Sequence, residues 1–188
     1  QECQVTIDGL TYPLELPFLV VATQNPIEYE GTYPLPEAQL DRFTARLALG
    51  YPPLSEEARM LSEQTTDPPL DHLQAVAERE DVRMAIEAAR AVFVEESVNR
   101  YVVTLLRHTR ASPRLALGAS PRAGIALLRM AKARAVAAGH DYVMPDDVRA
   151  VAPAVLAHRL IIAPEARAAG VTGEEVVREA LDETPVPA

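Results

Sequence analysis

The fold is decided by the stretch Phe18-Leu19-Val20-Val21-Ala22-Thr23-Gln24-Asn25-Pro26, an apolar run that ends abruptly at a polar tip. This pattern predicts a buried parallel strand, and the carboxyl ends of such strands are where ligands bind in open α/β sheets. Arg42 follows a short predicted helical turn, and a second strand-like run, Ala45-Arg46-Leu47-Ala48-Leu49, comes next. A polar strand tip followed by a projecting arginine is typical of nucleotide-handling proteins. We therefore interpret the rest of the chain with a nucleotide site in mind.

The composition of the 188 residues indicates a globular protein, with 48% hydrophobic and 24% charged residues. The single cysteine, Cys3, excludes an internal disulfide, and nothing in the sequence resembles a signal peptide. We expect a cytoplasmic protein without a membrane span, because no apolar run approaches the roughly 18 residues that a span needs. The net charge of -9 argues against a nucleic-acid partner, which would require excess cations to neutralise phosphate.

The only lysine of the chain, Lys132, decides whether a phosphate-binding P-loop is present. A P-loop requires the pattern Gly-x-x-x-x-Gly-Lys-Ser/Thr, in which backbone N–H groups surround the phosphates. Lys132 lies instead in Met130-Ala131-Lys132-Ala133, with no glycine loop before it. Residues 1–188 therefore contain no P-loop.

The pattern changes at Gly50-Tyr51-Pro52-Pro53, because two prolines suit neither a central strand nor a helix interior. Before this break, Asp8-Gly9 separates two alternating runs between Gln4 and Leu14, which predicts a β-hairpin. A hairpin and one or two strands cannot form an independent domain. We therefore expect residues 1–50 to be the end of a larger α/β domain, the chain to be a fragment, and residues 51–188 to be a small helical domain.

The helices of the second region are predicted from their caps and from apolar spacing. Ser55 is the expected N-cap of the first, and a later helix is predicted from about Arg79 to Ala91. The next has an apolar face at the helical spacing, formed by Val98, Tyr101, Val102, Leu105, Leu106 and Thr109. Three more open at capping signals, namely Ser120-Pro121, Pro145-Asp146-Asp147, and Thr172 with Glu175. The first of these three is expected to run through Ile125, Leu128, Ala131 and Ala135.

Three polar residues are candidates for function. Asn25 at the strand tip could orient a water or hold a phosphate oxygen, although Asn-Pro also simply starts turns. Arg42 could stabilise charge on a transferring phosphoryl group, although a surface salt bridge with Asp41 or Glu37 is the alternative. Arg122, at the second position of a helix, could face an anion together with the helix amino end, although it could equally cap a neighbouring helix. The four histidines lack ligand spacing, so no metal site is predicted.

The stretch from Phe18 to Glu28 and its continuation from Glu30 to Phe43 together resemble the MoxR family of AAA+ ATPases. Three later segments, 118–123, 141–148 and 156–160, show the same resemblance, which thus covers nearly the whole chain. It implies an α+β, mainly α fold: the C-terminal end of a P-loop-type α/β AAA+ core with its pre-sensor-1 hairpin, followed by an AAA+ helical lid domain.

The resemblance also implies roles for the three candidates. Asn25 matches sensor 1, which positions the attacking water, and Arg42 matches the arginine finger, which reaches the ATP site of the adjacent subunit. Arg122 matches sensor 2, a lid residue that contacts the nucleotide of its own subunit. The cofactors implied are ATP and Mg²⁺, whose principal ligands, the Walker A and Walker B motifs, are not in this sequence.

The function implied is ATP hydrolysis in a ring, a hexamer by resemblance, that remodels or assembles a protein substrate. MoxR relatives act as chaperones for complex assembly or metal-cofactor insertion, often with von Willebrand factor A domain proteins. On this interpretation residues 1–188 alone are inactive. Two alternatives remain open: the ATPase subunit of a magnesium or cobalt chelatase, and a non-enzymatic helical adaptor in which the arginines are structural.

Overall fold

The computed structural model describes residues 4–24, 36–66 and 69–187. The chain begins with an antiparallel hairpin of β1 (Gln4–Ile7) and β2 (Leu10–Pro13), which confirms the prediction from Asp8-Gly9. Asp8 and Gly9 both have positive φ, 52° and 81°, and this is the backbone that a two-residue turn with the right twist requires. Every residue of the two strands is exposed.

The two runs predicted as strands after the hairpin are not strands in the structure. Residues 18–22 and 45–49 have no regular secondary structure, and Leu19, Val21 and Leu49 are among the most exposed apolar residues. A buried strand needs neighbours on both sides, and the described residues provide none, since the hairpin strands pair only with each other. The prediction of a buried parallel strand is therefore wrong for the structure of these residues.

Three helices lie between the hairpin region and the core, namely α1 (Glu37–Leu40), α2 (Leu54–Thr66) and α3 (Arg79–Ala91). The predicted bounds of α3 are confirmed, whereas Ser55 is not an N-cap because α2 already begins at Leu54. The main-chain oxygen of Pro53, the residue before α2, accepts the first hydrogen bonds of this helix from the N–H groups of Glu56 and Glu57. A short 3-10 turn, Pro69–His72, follows α2.

The core is formed by four helices, α4 (Glu96–Ala111), α5 (Pro121–Ala137), α6 (Pro145–Leu156) and α8 (Gly173–Glu183). The predicted apolar face of α4 is confirmed in full, because its six residues are the ones that the helix buries. The capping box of α8 is also confirmed: the Thr172 hydroxyl accepts from the Glu175 N–H, and the Glu175 carboxylate accepts from the Thr172 N–H.

The expected course of α5 through Ile125, Leu128, Ala131 and Ala135 is confirmed, but only Ala131 and Ala135 of these four residues are fully buried. Ile125 is 55% exposed, whereas Leu127 is fully buried. Gly124 explains the difference, because a Cβ placed there would lie 2.7 Å from Leu106 Cδ1 of α4. The close approach of the two helices at this glycine brings Leu127 into the core and leaves Ile125 on the outer side.

Asp147 explains where α6 begins. This residue is fully buried at the third position of the helix, where a carboxylate suits the helix dipole. Its carboxylate accepts hydrogen bonds from the Met144 N–H at 2.9 Å and from Arg134 Nη1 at 3.0 Å. The predicted start at Pro145-Asp146-Asp147 is thus confirmed, and the buried charge is paired as burial requires.

Three short elements were not predicted from the sequence. The strands β3 (Leu115–Leu117) and β4 (Ile161–Ile162) pair antiparallel, and α7 (Pro164–Ala168) follows β4. Between α6 and β4 lies a 3-10 turn, Ala157–Arg159. This turn holds the two side chains on which the candidate site depends.

Candidate functional site

The structure describes two of the three predicted site residues. Asn25 lies outside the described residues, so its predicted role at a strand tip stays a prediction. Arg42 follows α1 and Arg122 lies in the first turn of α5. Arg122 pairs with the carboxylate of Asp41, the residue directly before Arg42.

Arg42 is an exposed residue in a turn whose apolar residues, Leu40 and Phe43, are partly buried. Its side chain is exposed and makes no hydrogen bond or ion pair with the part of the chain that the structure describes. Leu40 and Phe43 are partly buried on either side, as their spacing of three predicted. A salt bridge between Arg42 and Asp41 is not seen, because the Asp41 carboxylate is paired with Arg159 and Arg122 instead. The side chain of Glu37, the other alternative partner of Arg42, lies outside the part of the chain that the structure describes.

Arg159, in the 3-10 turn after α6, binds the segment around Arg42. Its side chain is only 4% exposed, and its Nε donates to Asp41 Oδ1 at 3.1 Å. Nη2 donates to the main-chain oxygens of Asp41 at 3.3 Å and Phe43 at 2.6 Å. Nη1 donates to the main-chain oxygens of Thr44 and Val155. The guanidinium therefore uses its whole fork, which is the geometry that favours arginine over lysine at a buried site.

His158 makes a second contact from the same turn. Its Nε2 lies 3.2 Å from the main-chain oxygen of Phe43, and because a carbonyl can only accept, Nε2 must carry the proton. Burial lowers the pKa of His158 from its ordinary value, and the positive charges of Arg159 and Arg46 lower it further. The hydrogen bond to the main-chain oxygen of Phe43 opposes this lowering of the pKa only in part. His158 is therefore held neutral.

The lowered pKa of His158 predicts a loss of stability in mild acid. Below about pH 6.5 the unfolded chain protonates this histidine while the folded chain resists, so the unfolded state binds more protons and the free energy of unfolding falls as the pH falls. The fall ends below the folded pKa. For one proton its slope is at most about 1.4 kcal/mol per pH unit.

The measurement is urea unfolding of the wild-type chain and of His158→Gln between pH 7.5 and pH 5, a range that spans the ordinary histidine pKa of about 6.5. Glutamine retains an N–H donor for Phe43 but does not titrate, and the other three histidines serve as an internal control. The wild type should lose more stability than the variant. Equal losses would contradict the assignment.

Arg122 lies at the second position of α5, as predicted. Ser120 is the N-cap, and its hydroxyl accepts from the Ala123 N–H at 3.3 Å. Arg122 Nη1 is 3.8 Å from Asp41 Oδ2, with the two side chains 43% and 34% exposed. A pair this long and this exposed contributes little to stability, so Arg122 can exchange Asp41 for another anion at small cost.

The start of α5 is held against α4 by a close main-chain contact. Thr109 is fully buried, and its hydroxyl donates to the Leu106 oxygen at 2.8 Å and accepts from the Ala119 N–H at 3.0 Å. Arg110 Nε donates to the Ala119 oxygen at 2.7 Å. Gly118 is required here, because an added Cβ would lie 2.6 Å from Arg110 Cα. The position of the first turn of α5, and so of Arg122, is thus fixed by its contact with α4 in the helical core.

The contacts of Asp41, His158 and Arg159 were missed as site features in the sequence. A signal did exist, since two adjacent polar residues, His158 and Arg159, come one residue after the apolar end of α6 at Val155 and Leu156. Such residues at the end of a core helix must either reach solvent or find buried partners. Only the fold shows that their partners are 115 to 118 residues earlier in the chain.

Metal-binding clusters and membrane-spanning helices are absent from the described residues. Among the residues that the structure describes, no group of three His, Cys, Asp or Glu side chains could hold a metal ion. None of the described helices has the length and apolarity needed to cross a membrane.

Comparison with known proteins identifies the two parts of the chain. Residues 1–45 match the ATPase family associated with various cellular activities (AAA), and residues 107–180 match the AAA lid domain. A candidate ATPase of known structure from Cytophaga hutchinsonii superposes with a TM-score of 0.90 at 37% identity, over 100% of this chain and 59% of that one. The fold is thus the end of an AAA core followed by its helical lid, as predicted.

Full-chain relatives give the family. The chain is 45% identical to the uncharacterized protein YeaC of Bacillus subtilis over 187 residues, which are 100% of this chain and 58% of that protein. It is 39% identical to the chaperone MoxR1 of Mycobacterium tuberculosis over 196 aligned residues, which cover 100% of this chain and 52% of that protein. The chain belongs to the MoxR family of AAA+ ATPases, and it spans somewhat more than half the length of these relatives.

Proposed function

We propose that this chain supplies the sensor and lid part of a MoxR-type ATPase that hydrolyses ATP at the subunit interfaces of a ring. The two domains are taken as residues 1–50, the end of the α/β nucleotide-binding domain, and residues 51–188, the lid. The ATPase class follows from the family, whereas the division of labour among the residues is our proposal. Relatives named MoxR favour this function over that of a chelatase subunit or a helical adaptor.

The observation that carries the proposal is the state of Arg42. Its main chain lies between segments held by the lid, yet Arg42 itself is exposed and its guanidinium makes no hydrogen bond or ion pair with the side chains and main chain that the structure describes. A permanently charged group held outward in this way suits an anion on another molecule rather than a partner in its own chain. The closest function of this kind is that of an arginine finger, which stabilises charge on a transferring phosphoryl group of the neighbouring subunit.

Arg122 is proposed to serve the nucleotide of its own subunit. It lies on the lid, is partly exposed and has only a weak pair with Asp41. Both arginines suit a polyphosphate chemically, because the guanidinium fork matches phosphate oxygens. The loop that would surround the phosphates is not among residues 1–188, so the whole ATPase must supply it. ATP with Mg²⁺ supplies the phosphoryl group when bound, and Asn25 is proposed to position the attacking water.

The proposed work of the ring is remodelling or assembly of a protein substrate. The relative from Mycobacterium tuberculosis is named a chaperone, which supports this class of activity. A cytoplasmic location, a hexameric ring, metal-cofactor insertion and a von Willebrand factor A domain partner are proposals that rest on the family alone.

The test of the finger mixes two kinds of subunit of the whole ATPase. Donor subunits carry an inactivated P-loop and an intact Arg42, whereas acceptor subunits carry an intact P-loop and Arg42→Ala. Neither kind should hydrolyse ATP alone, and mixing should restore activity, because Arg42 of a donor completes the site of an adjacent acceptor. If acceptor subunits alone turn over ATP at the wild-type rate, or if mixing restores nothing, the role in trans is wrong.

A further inference from the structure

The segment around Arg42 is bound to the lid through its main chain. Arg159 donates hydrogen bonds to the main-chain oxygens of Asp41, Phe43 and Thr44, and also binds the Asp41 carboxylate. His158, in the same turn as Arg159, donates to the Phe43 oxygen through its Nε2. These partners lie on both sides of Arg42 and do not include Arg42 itself.

The contact between Arg159 and the main chain on both sides of Arg42 is well suited to fixing the direction in which the Arg42 side chain points. Main-chain oxygens on both sides of Arg42 are held by one rigid, planar group, so rotation of the intervening residue is restricted while its side chain stays free. The Arg159 side chain is 4% exposed, and its four main-chain acceptors and the carboxylate use most of its five donors. A further main-chain bond, from the Arg46 N–H to the Ala154 oxygen at 2.9 Å, continues the attachment along the segment.

We propose that Arg159 is a positioning residue for the finger: it fixes the segment 41–44 to the lid and thereby sets where Arg42 is presented to the neighbouring subunit. This inference rests on the proposed function of Arg42. Arg159 does not touch the reacting atoms and acts only through the main chain beside Arg42.

The arrangement has a consequence for movement of the lid. Arg159 ends the 3-10 turn that follows α6, and the α6 residues Val155 and Leu156 are fully buried in the lid core. A rigid movement of that core must therefore carry the segment around Arg42 with it. The finger that a subunit offers to its neighbour thus moves with the subunit's own lid, and Arg122 contacts the same Asp41 carboxylate from α5.

The first test measures hydrogen exchange in the chain of 188 residues. The reporters are the N–H groups of Phe43, bonded to the Leu40 oxygen at 3.0 Å, and of Arg46, bonded to the Ala154 oxygen. In Arg159→Ala these two N–H groups should exchange at least about tenfold faster. The order of exchange rates among the buried amides of α4 should stay the same as in the wild type. Unchanged exchange at both reporters would overturn the proposal, whatever the role of Arg42.

The matched control is Arg149→Ala. Arg149 is another partly buried arginine of the lid, and it holds α8 by donating to the Leu181 oxygen at 2.8 Å and pairing with Asp182. Its loss should weaken the lid core without loosening the segment at 41–44. If Arg149→Ala speeds exchange at Phe43 and Arg46 as much as Arg159→Ala does, the effect is general destabilisation and the proposal fails.

The second test places the same substitution in the mixed rings described above. In donor subunits, Arg159→Ala should lower the restored ATPase rate at least about tenfold, because the finger is misplaced, while the KM for ATP stays the same. In acceptor subunits, which already lack Arg42, it should change the rate by less than about twofold. A loss that is equal in both subunits would mean a structural role and would overturn the proposal.

Failure of the proposed function of Arg42 and failure of the proposed role of Arg159 give different results. If Arg42→Ala itself has no effect on the ring, the proposed function fails, and the exchange test still decides whether Arg159 fixes the segment. If Arg159→Ala does not fold, Arg159→Lys replaces it: the lysine retains a charge beside Asp41 but cannot reach all the main-chain oxygens. The same asymmetry between donor and acceptor subunits is then expected, with a smaller loss, and its absence would contradict the proposal.

Discussion

Replacement of Arg42 by alanine in every subunit of the whole ATPase should lower kcat by about 10³-fold or more, which is the contribution of an arginine finger to phosphoryl transfer. The loss is expected in kcat with little change in the KM for ATP, because the finger acts on charge that develops in the transition state. Folding should be unaffected, since the Arg42 side chain is exposed and has no partner among the described residues. Steady-state ATP hydrolysis measured across ATP concentrations checks both parameters.

The matched control for this prediction is Arg46→Ala. Arg46 is also an exposed arginine and lies four residues after Arg42. Its main-chain N–H, which alanine retains, bonds to the Ala154 oxygen. We expect its loss to change kcat by less than about threefold, since no positioned interaction is removed. Equal losses in the two variants would indicate that only the total positive charge of the segment matters, and would contradict a finger at Arg42.

Leu127→Ala should lower the free energy of unfolding by about 2–5 kcal/mol, because it removes a fully buried side chain and leaves a cavity between packed helices. Leu127 lies on α5, which packs against α3, α4 and α6, so few neighbours are free to fill the space. Urea unfolding followed by circular dichroism measures the change, with the same slope expected for both proteins.

Ile125→Ala is the control for the same helix. Ile125 has the same number of carbon atoms and lies two residues away, but it is 55% exposed. Its truncation should cost less than about 1 kcal/mol, as a substitution outside the core does. A reversed order, with Ile125 the more costly residue, would contradict the burial of Leu127 among the core helices.

The helical part of the fold was predictable because its signals are local. The face of α4 follows from apolar spacing alone, and the starts of α5, α6 and α8 follow from Ser120-Pro121, Asp147 and the pair Thr172 and Glu175. Caps and amphipathic spacing act within a few residues, so no knowledge of the partner helix is needed. The hairpin at Asp8-Gly9 is predictable for the same reason.

The errors arose where a partner decides the structure. The run 18–22 has the composition of a buried strand, yet a strand exists only when neighbours pair with it, and the described residues offer none. The buried face of α5 is set by the close approach of α4 at Gly124, which apolar spacing along α5 cannot report. The strands β3 and β4 are too short to show an alternating pattern.

The candidate site divides in the same way. By itself the sequence determined the family resemblance, the candidates Asn25, Arg42 and Arg122, and the lack of a P-loop in residues 1–188, because these depend on residue type and local order. Only the tertiary structure decided that Arg159 and Asp41 meet, since they are 118 residues apart and are joined by the packing of the lid. It also decided that Arg42 is exposed while the main-chain oxygens of Asp41 and Phe43 beside it are bound. The buried guanidinium of Arg159 has several donors and pairs them with main-chain oxygens, and no sequence pattern marks which oxygens these are.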